Sequence, residues 1–211
     1  MTDRVQLHEP YSDSGQQHEA DMMGMSVFLA SEIMLFGGLV IAILVIRYLH
    51  PAETVEASKS LHLWIGALNT VVLLTSSLLV ALGVTAARAA SAWWTTRCLF
   101  GVAILGLVFL GLKTYEYSLE YADGVLPVLS DPPRFSGSIE HLFMNVYLMA
   151  TGLHAVHVSI GIALLAGLAW RVGRGGLQLP QETVTIEVSG LYWHLVDVIW
   201  VFLYPILYLA R

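Results

Sequence analysis

The side chains in this sequence that could carry a proton or hold a metal are few, and most stand inside apolar stretches. Glu32 lies in V-F-L-A-S-E-I-M-L-F-G-G, about one and a half helical turns into an apolar run. A carboxyl in that setting has to be protonated, hydrogen-bonded or paired, because hydrocarbon does not solvate an isolated charge. It is a candidate proton carrier. His154 and His157, in T-G-L-H-A-V-H-V-S, are three apart and share one helical face. Imidazoles so placed can bond to another helix or supply part of a metal site. Zinc would want a third and usually a fourth ligand, and two ligands on one helical face cannot clasp one haem from both sides. His62 and His194 stand on other runs and could complete such a set; interhelical hydrogen bonding is the stronger reading for the pair. Tyr192, Trp193, His194 and Asp197 form a second polar group, in which a His194–Asp197 bond or relay is allowed by their spacing. Glu187 reads as lying just before that helix. Arg171 and Arg174 follow the histidine-bearing run in a glycine-rich turn, where they could bind anionic lipid headgroups or serve as ordinary interfacial anchors.

Other chemistry is excluded by what the sequence lacks. It contains no nucleotide-binding glycine loop, no H-E-x-x-H zinc motif and no nucleophile elbow. Cys98 is the only cysteine, so an intrachain disulfide and a thiolate metal cage are ruled out. The formal charge of -6 owes much to the acidic N-terminal tail, and no basic cluster is large enough for a nucleic-acid groove. The halves of an inverted-repeat transporter are also missing. Two further readings stay open on the residues alone: a transporter using Glu32 and the histidine pair as a relay, and a carrier of haem.

The elements that must position these groups follow from composition. Of the 211 residues 56% are hydrophobic and 12% charged, about half the charge of a soluble domain. The apolar residues fall into five runs, near 27–49, 61–86, 98–119, 139–170 and 188–209, each long enough to cross about 30 Å of hydrocarbon. The expected fold is all-α: a polar N-terminal tail over 1–22, then a domain of five transmembrane helices over 23–211. The polar start makes the first run a permanent helix rather than a cleaved leader, with Pro51 ending it. Asn69, Thr70, Thr75, Ser76 and Ser77 suggest a second helix facing protein on one side. Arg88 and Arg97 are expected to bracket a turn holding Trp93 and Trp94, and Cys98 to open the third helix. Gly101, Gly106 and Gly111 recur every five residues, a spacing that winds around the helix and carries little weight as a packing stripe. Lys113, Tyr115, Glu116, Tyr117 and Tyr121 read as helix emerging through the headgroups, before a long loop with Pro127, Pro132 and Pro133. Basic residues divide evenly between the two sides, so composition leaves the topology open.

Three ordered segments carry a resemblance. T-G-L-H-A-V-H-V-S-I-G, Thr151 to Gly161, is similar to the T-G-x-H-x-x-H-V-x-x-G helix of subunit III of the haem-copper oxidases. G-L-Y-W-H-L-V-D-V-I-W, Gly190 to Trp200, resembles that family's Y-W-H-F-V-D-x-x-W signature, with Glu187 upstream. S-E-I-M-L-F, Ser31 to Phe36, resembles its helix with a buried glutamate, and L-N-T-V-V-L-L-T-S-S from Leu68 also fits. Many members have seven helices; this chain resembles the short five-helix form, so the lipid cleft between helix groups is expected to be altered or completed by another subunit. The resemblance implies an accessory, non-redox subunit of a cytochrome c oxidase in the bacterial plasma (inner) membrane, N-terminus cytoplasmic and C-terminus outside. It implies that this chain binds phospholipid and no haem or copper. The haems and copper sit in partner subunits: catalytic subunit I beside it, with subunit II and small accessory subunits in the assembly. Glu32 would be the carboxyl near proton entry or the lipid site. His154, His157, Glu187, Tyr192, Trp193, His194 and Asp197 would form a polar network holding the bundle together. The proline-bearing loop and K-T-Y-E-Y resemble members associated with nitric oxide reductase, which is the alternative partner.

Overall fold

The computed structural model describes residues 14–125 and 137–209. Most of the polar tail, the loop prolines Pro127, Pro132 and Pro133, and Arg211 lie outside the described residues. The rest is all-α. In chain order the helices are α1 (Ser14–Leu49), α2 (Pro51–Lys59), α3 (Leu63–Arg88), α4 (Ala92–Ala122), α5 (Ser138–Gly173) and α6 (Thr183–Tyr208). Five contain stretches long and apolar enough to span a bilayer: Glu19–Leu49, Leu63–Arg88, Ala92–Ala122, Ser138–Gly173 and Thr183–Tyr208. The chain is a polytopic membrane bundle.

Packing runs α4 on α3 and α5, and α6 on α3 and α5, so these four helices close into a ring of neighbours. Helix α1 lies outside that ring and touches only α2, α5 and α6 among the described elements. Large apolar side chains such as Met34, Ile41, Trp64, Val71, Leu107 and Phe202 point outward, as they must where the solvent is hydrocarbon and backbone polar groups are satisfied inside helices.

The centre is closed by Trp193. Its indole is fully buried and its Nε1 donates to Ser76 Oγ of α3 at 2.9 Å. The ring lies against bare backbone on two further helices. A Cβ added at Gly161 of α5 would stand 2.7 Å from Trp193 Cε3, and one at Gly106 of α4 would stand 2.8 Å from Cζ2's neighbour Cη2. One α6 side chain thus ties α3, α4 and α5 together. Gly106 matters because of this incoming ring rather than any stripe; a Cβ at Gly111, by contrast, would meet nothing within 4 Å.

Several local expectations change. Pro51 does more than end α1: it opens α2 as an N-terminal residue, a position where its missing N–H costs nothing. Helix α2 is tied to the far end of α6 by Ser58 Oγ, which donates to the Leu207 carbonyl at 2.7 Å. That carbonyl is among the last four of its helix, which have no partner within the helix. The turn between α3 and α4 shortens to Ala89–Ser91, so Trp93, Trp94 and Arg97 belong to the first turns of α4 and Cys98 lies inside it. The Arg97 guanidinium sits 3.6 Å over the Trp93 ring and that of Arg174 4.3 Å over Trp170. Such aromatic and cationic groups suit a membrane–water boundary. Helix α1 extends back to Ser14, into the stretch read as tail.

Candidate functional site

Glu32 and His157 meet. His157 Nε2 of α5 lies 3.0 Å from Glu32 Oε2 of α1, with both side chains only slightly exposed. The other ring nitrogen, Nδ1, lies 2.8 Å from the Leu153 carbonyl, and a carbonyl only accepts, so Nδ1 carries a hydrogen. If Nε2 were bare and the carboxyl ionised, two lone pairs would face each other. One proton, on the carboxyl or on Nε2, relieves that and leaves the pair without net charge, which suits a membrane interior. The two atoms are in contact at 3.0 Å but not aligned as a hydrogen bond, since Glu32 Oε2 has no hydrogen-bond partner among the described residues. Phe36, one turn beyond Glu32, places its ring edge-on to His157 at 5.3 Å, and the Tyr192 hydroxyl donates to the His157 carbonyl at 3.0 Å. Beside the pair, α1 and α6 bound an apolar groove of about 260 Å³ lined by Ile33, Phe36, Gly37, Val40, Leu195, Val198, Ile199 and Phe202.

His154 has different surroundings from its neighbour. It is fully buried, stacks on Trp200 at 5.3 Å and meets Phe109 edge-on at 5.5 Å. Neither of its nitrogens has a partner among the described residues, so it packs as an aromatic ring rather than bonding across helices. On α6 the allowed His194–Asp197 bond does not form. His194 Nδ1 pairs with Ser77 Oγ of α3 at 2.7 Å, because antiparallel α3 brings its hydroxyls against α6; Trp200 Nε1 likewise donates to Thr70 Oγ1 at 3.1 Å. Asp197 is buried between them, with neither oxygen hydrogen-bonded. Glu187 lies within α6, not before it, and pairs with Arg88 at 2.8 Å rather than with Arg171 or Arg174. Among the described residues no group of three or more His, Cys, Asp or Glu is arranged to hold a metal ion. His62 stands at the start of α3, away from any such set.

One group was misread from the sequence. Lys113 and Glu116 do not face outward; with Glu120 they are buried on the inner face of α4. Lys113 Nζ donates to Glu116 Oε2 at 2.9 Å, to Tyr208 Oη of α6 at 2.9 Å and to Tyr147 Oη of α5 at 3.3 Å. The Tyr147 hydroxyl passes its own hydrogen to Glu120 Oε1 at 2.8 Å, and Tyr117 pairs with Thr151 at 2.6 Å. Positions 113, 116 and 120 fall on one helical face, with Tyr115 and Tyr121 on the exposed side. That spacing was the available signal.

The family model described as "Cytochrome c oxidase subunit III" matches residues 16–210. The chain belongs to the cytochrome c oxidase subunit III family. It is 33% identical over 199 residues to the cytochrome c oxidase subunit 3 of Thermostichus vulcanus, covering 93% of this chain and 91% of that one. It is 27% identical over 204 residues to a probable quinol oxidase subunit 3 of Staphylococcus epidermidis, covering 96% of both. Similarity at 27% over 192 residues extends to a protein of Aeropyrum pernix named heme-copper oxidase subunit I+III, covering 88% of this chain and 22% of that protein. This subunit III thus has the family's general role, that of a non-catalytic membrane subunit assembled with other oxidase subunits.

Proposed function

We propose that this subunit III packs against the catalytic subunit I of a haem-copper terminal oxidase and supports its proton uptake through Glu32 and His157. The observation that carries the reading is the 3.0 Å contact between the two side chains. It holds one transferable proton in an electrically neutral pair, at the edge of the bundle rather than sealed in its core. The apolar α1–α6 groove beside it fits an acyl chain, and we assign phospholipid there, with Arg171 and Arg174 as headgroup partners near the C-terminal end of α5. Subunit I as neighbour is favoured by the name of the Aeropyrum pernix relative, which joins I and III in one chain. Relatives named for cytochrome c oxidase and for quinol oxidase occur together, so the proposal concerns the oxidase, whichever donor feeds it. The N-terminus lies in the cytoplasm and the C-terminus outside the bacterial plasma membrane.

The test uses the complex purified in mild detergent. It should contain a haem-bearing subunit and reduce oxygen rather than nitric oxide. Glu32→Gln should slow proton uptake or hasten inactivation during turnover while haem content stays constant. If kinetics, bound lipid and turnover lifetime all match the unmodified complex, the pair has no such role.

A further inference from the structure

About 15 Å along α5 from His157, Tyr147 belongs to the second buried polar group, and its bonds can be counted. The Lys113 ammonium has three hydrogens and three acceptors: Glu116 Oε2, Tyr208 Oη and Tyr147 Oη. Tyr147 gives its hydrogen to Glu120 Oε1 at 2.8 Å, and Tyr208, which also has a hydrogen to give, donates it to Tyr147 Oη at 3.3 Å. Two acceptor atoms remain, Glu116 Oε1 and Glu120 Oε2, both buried and both without a donor among the described residues. Lys113 is 3% exposed and the two glutamates 0%, so the set is closed to bulk solvent.

The charges show the same shortfall. With both carboxyls ionised, one ammonium faces two carboxylates and the cluster is left at minus one in a low-dielectric interior, where an unpaired charge is strongly unfavourable. The other titratable groups nearby are Tyr117 on α4, Tyr147 and His154 on α5, and Tyr208 on α6. The tyrosines are neutral hydroxyls, and His154 bonds to none of the cluster. One added proton cancels the excess charge and turns one of the two orphan acceptors into a donor. Two carboxyls one turn apart on one helix suit the sharing of a proton.

We infer that the Glu116–Glu120 pair is a binding site for a single proton, taken up when α4, α5 and α6 close around Lys113. The site is separate from Glu32–His157 and does not depend on the role assigned to that pair. It makes the interior contact of these three helices neutral, as Lys113 paired with one ionised carboxyl leaves the second as a neutral acid.

The test is infrared spectroscopy of the full chain, purified in mild detergent free of labelled partners, labelled with ¹³C-glutamate and carrying Glu32→Gln. The label separates glutamate from Asp197, and the substitution removes the carboxyl that contacts His157. One protonated glutamic carboxyl should remain, as a carbonyl band shifted by the label. Its absence overturns the inference without requiring any cluster variant to fold. Adding Glu116→Gln or Glu120→Gln singly should abolish the band, because the surviving carboxyl ionises against Lys113, and Lys113→Met should double it. The combined Glu116→Gln/Glu120→Gln protein, which strands the ammonium, should be recovered in far lower yield than either single variant. A band that persists in both single variants, or a melting midpoint that depends on which alkali cation is supplied, would replace the proton with another occupant and refute the site.

Discussion

Gly161→Ala puts the central packing of the bundle to a quantitative test. The added methyl would lie 2.7 Å and 2.8 Å from Trp193 Cε3 and Cζ3, and 3.3 Å from Tyr192 Cε1. Carbon atoms are most favourable about 3.5–4.0 Å apart, so the ring must withdraw by at least about 0.8 Å. Its retreat is blocked. Nε1 is held by Ser76, and the adjoining ring atom Cη2 already lies against the backbone of Gly106. Overpacking of this kind costs about 1–3 kcal/mol. A glycine-to-alanine change also favours helix by roughly 1 kcal/mol, so the variant needs a reference in which only that gain operates. Gly152→Ala supplies it, being on the same helix with nothing within 4 Å of the new methyl. Unfolding titrated with SDS and followed by far-UV circular dichroism should place Gly161→Ala below Gly152→Ala by about 1–3 kcal/mol. Trp193→Phe, which shortens the ring, should shrink that gap when combined with Gly161→Ala. Equal stabilities for the two alanine variants, or a gap unaffected by Trp193→Phe, would refute the wedge.

Three other outcomes follow from individual contacts. Ser58→Ala should destabilise by about 1 kcal/mol in the same titration, because it leaves the Leu207 carbonyl without its buried donor; no change would mean that α2 does not anchor α6. Arg88→Gln should leave the unfolding midpoint within the scatter of the unmodified protein despite its 2.8 Å pair with Glu187, since the guanidinium side chain is 64% exposed. A marked loss would indicate that a partner covers that pair in the complex. His154→Phe should be neutral or stabilising, because a ring of similar shape replaces a buried group whose nitrogens bond to none of the described residues. A loss above about 1 kcal/mol would reveal an ordered water or another donor at His154.

The spanning helices were legible because a bilayer demands a continuous apolar stretch, and that demand acts on local sequence. Helix α2 escaped because its nine residues are too few to span and include Glu53, Glu56 and Lys59. Glu32 could be singled out by its position in an apolar run, yet nothing nearby in sequence names His157 rather than His154 as its partner. The choice depends on how α1 seats against α5. The same holds for His194, whose partner Ser77 lies 117 residues away, while the nearer Asp197 makes no such bond. Lys113 and Glu116 were misjudged because their polarity was read from composition, whereas helical phase sends them inward and Tyr115 outward. Gly106 was discounted because its repeat was compared with one kind of stripe, while its actual use is set by an indole arriving from α6.

Helix α1 supplies one half of the Glu32–His157 contact, yet it is the most thinly packed of the long helices, bordered by α2, α5 and α6 alone among the described elements. The same seam holds the apolar groove. The separation between carboxyl and imidazole is therefore a docking coordinate as well as a chemical distance. On the proposed reading, an acyl chain or neighbouring subunit filling the seam would set how firmly α1 is pressed home. Direct proton exchange requires heavy atoms within about 3.2 Å, so a displacement of a few tenths of an ångström is enough to disengage it. Bilayer composition would then reach the proton chemistry mechanically, through the seating of one peripheral helix.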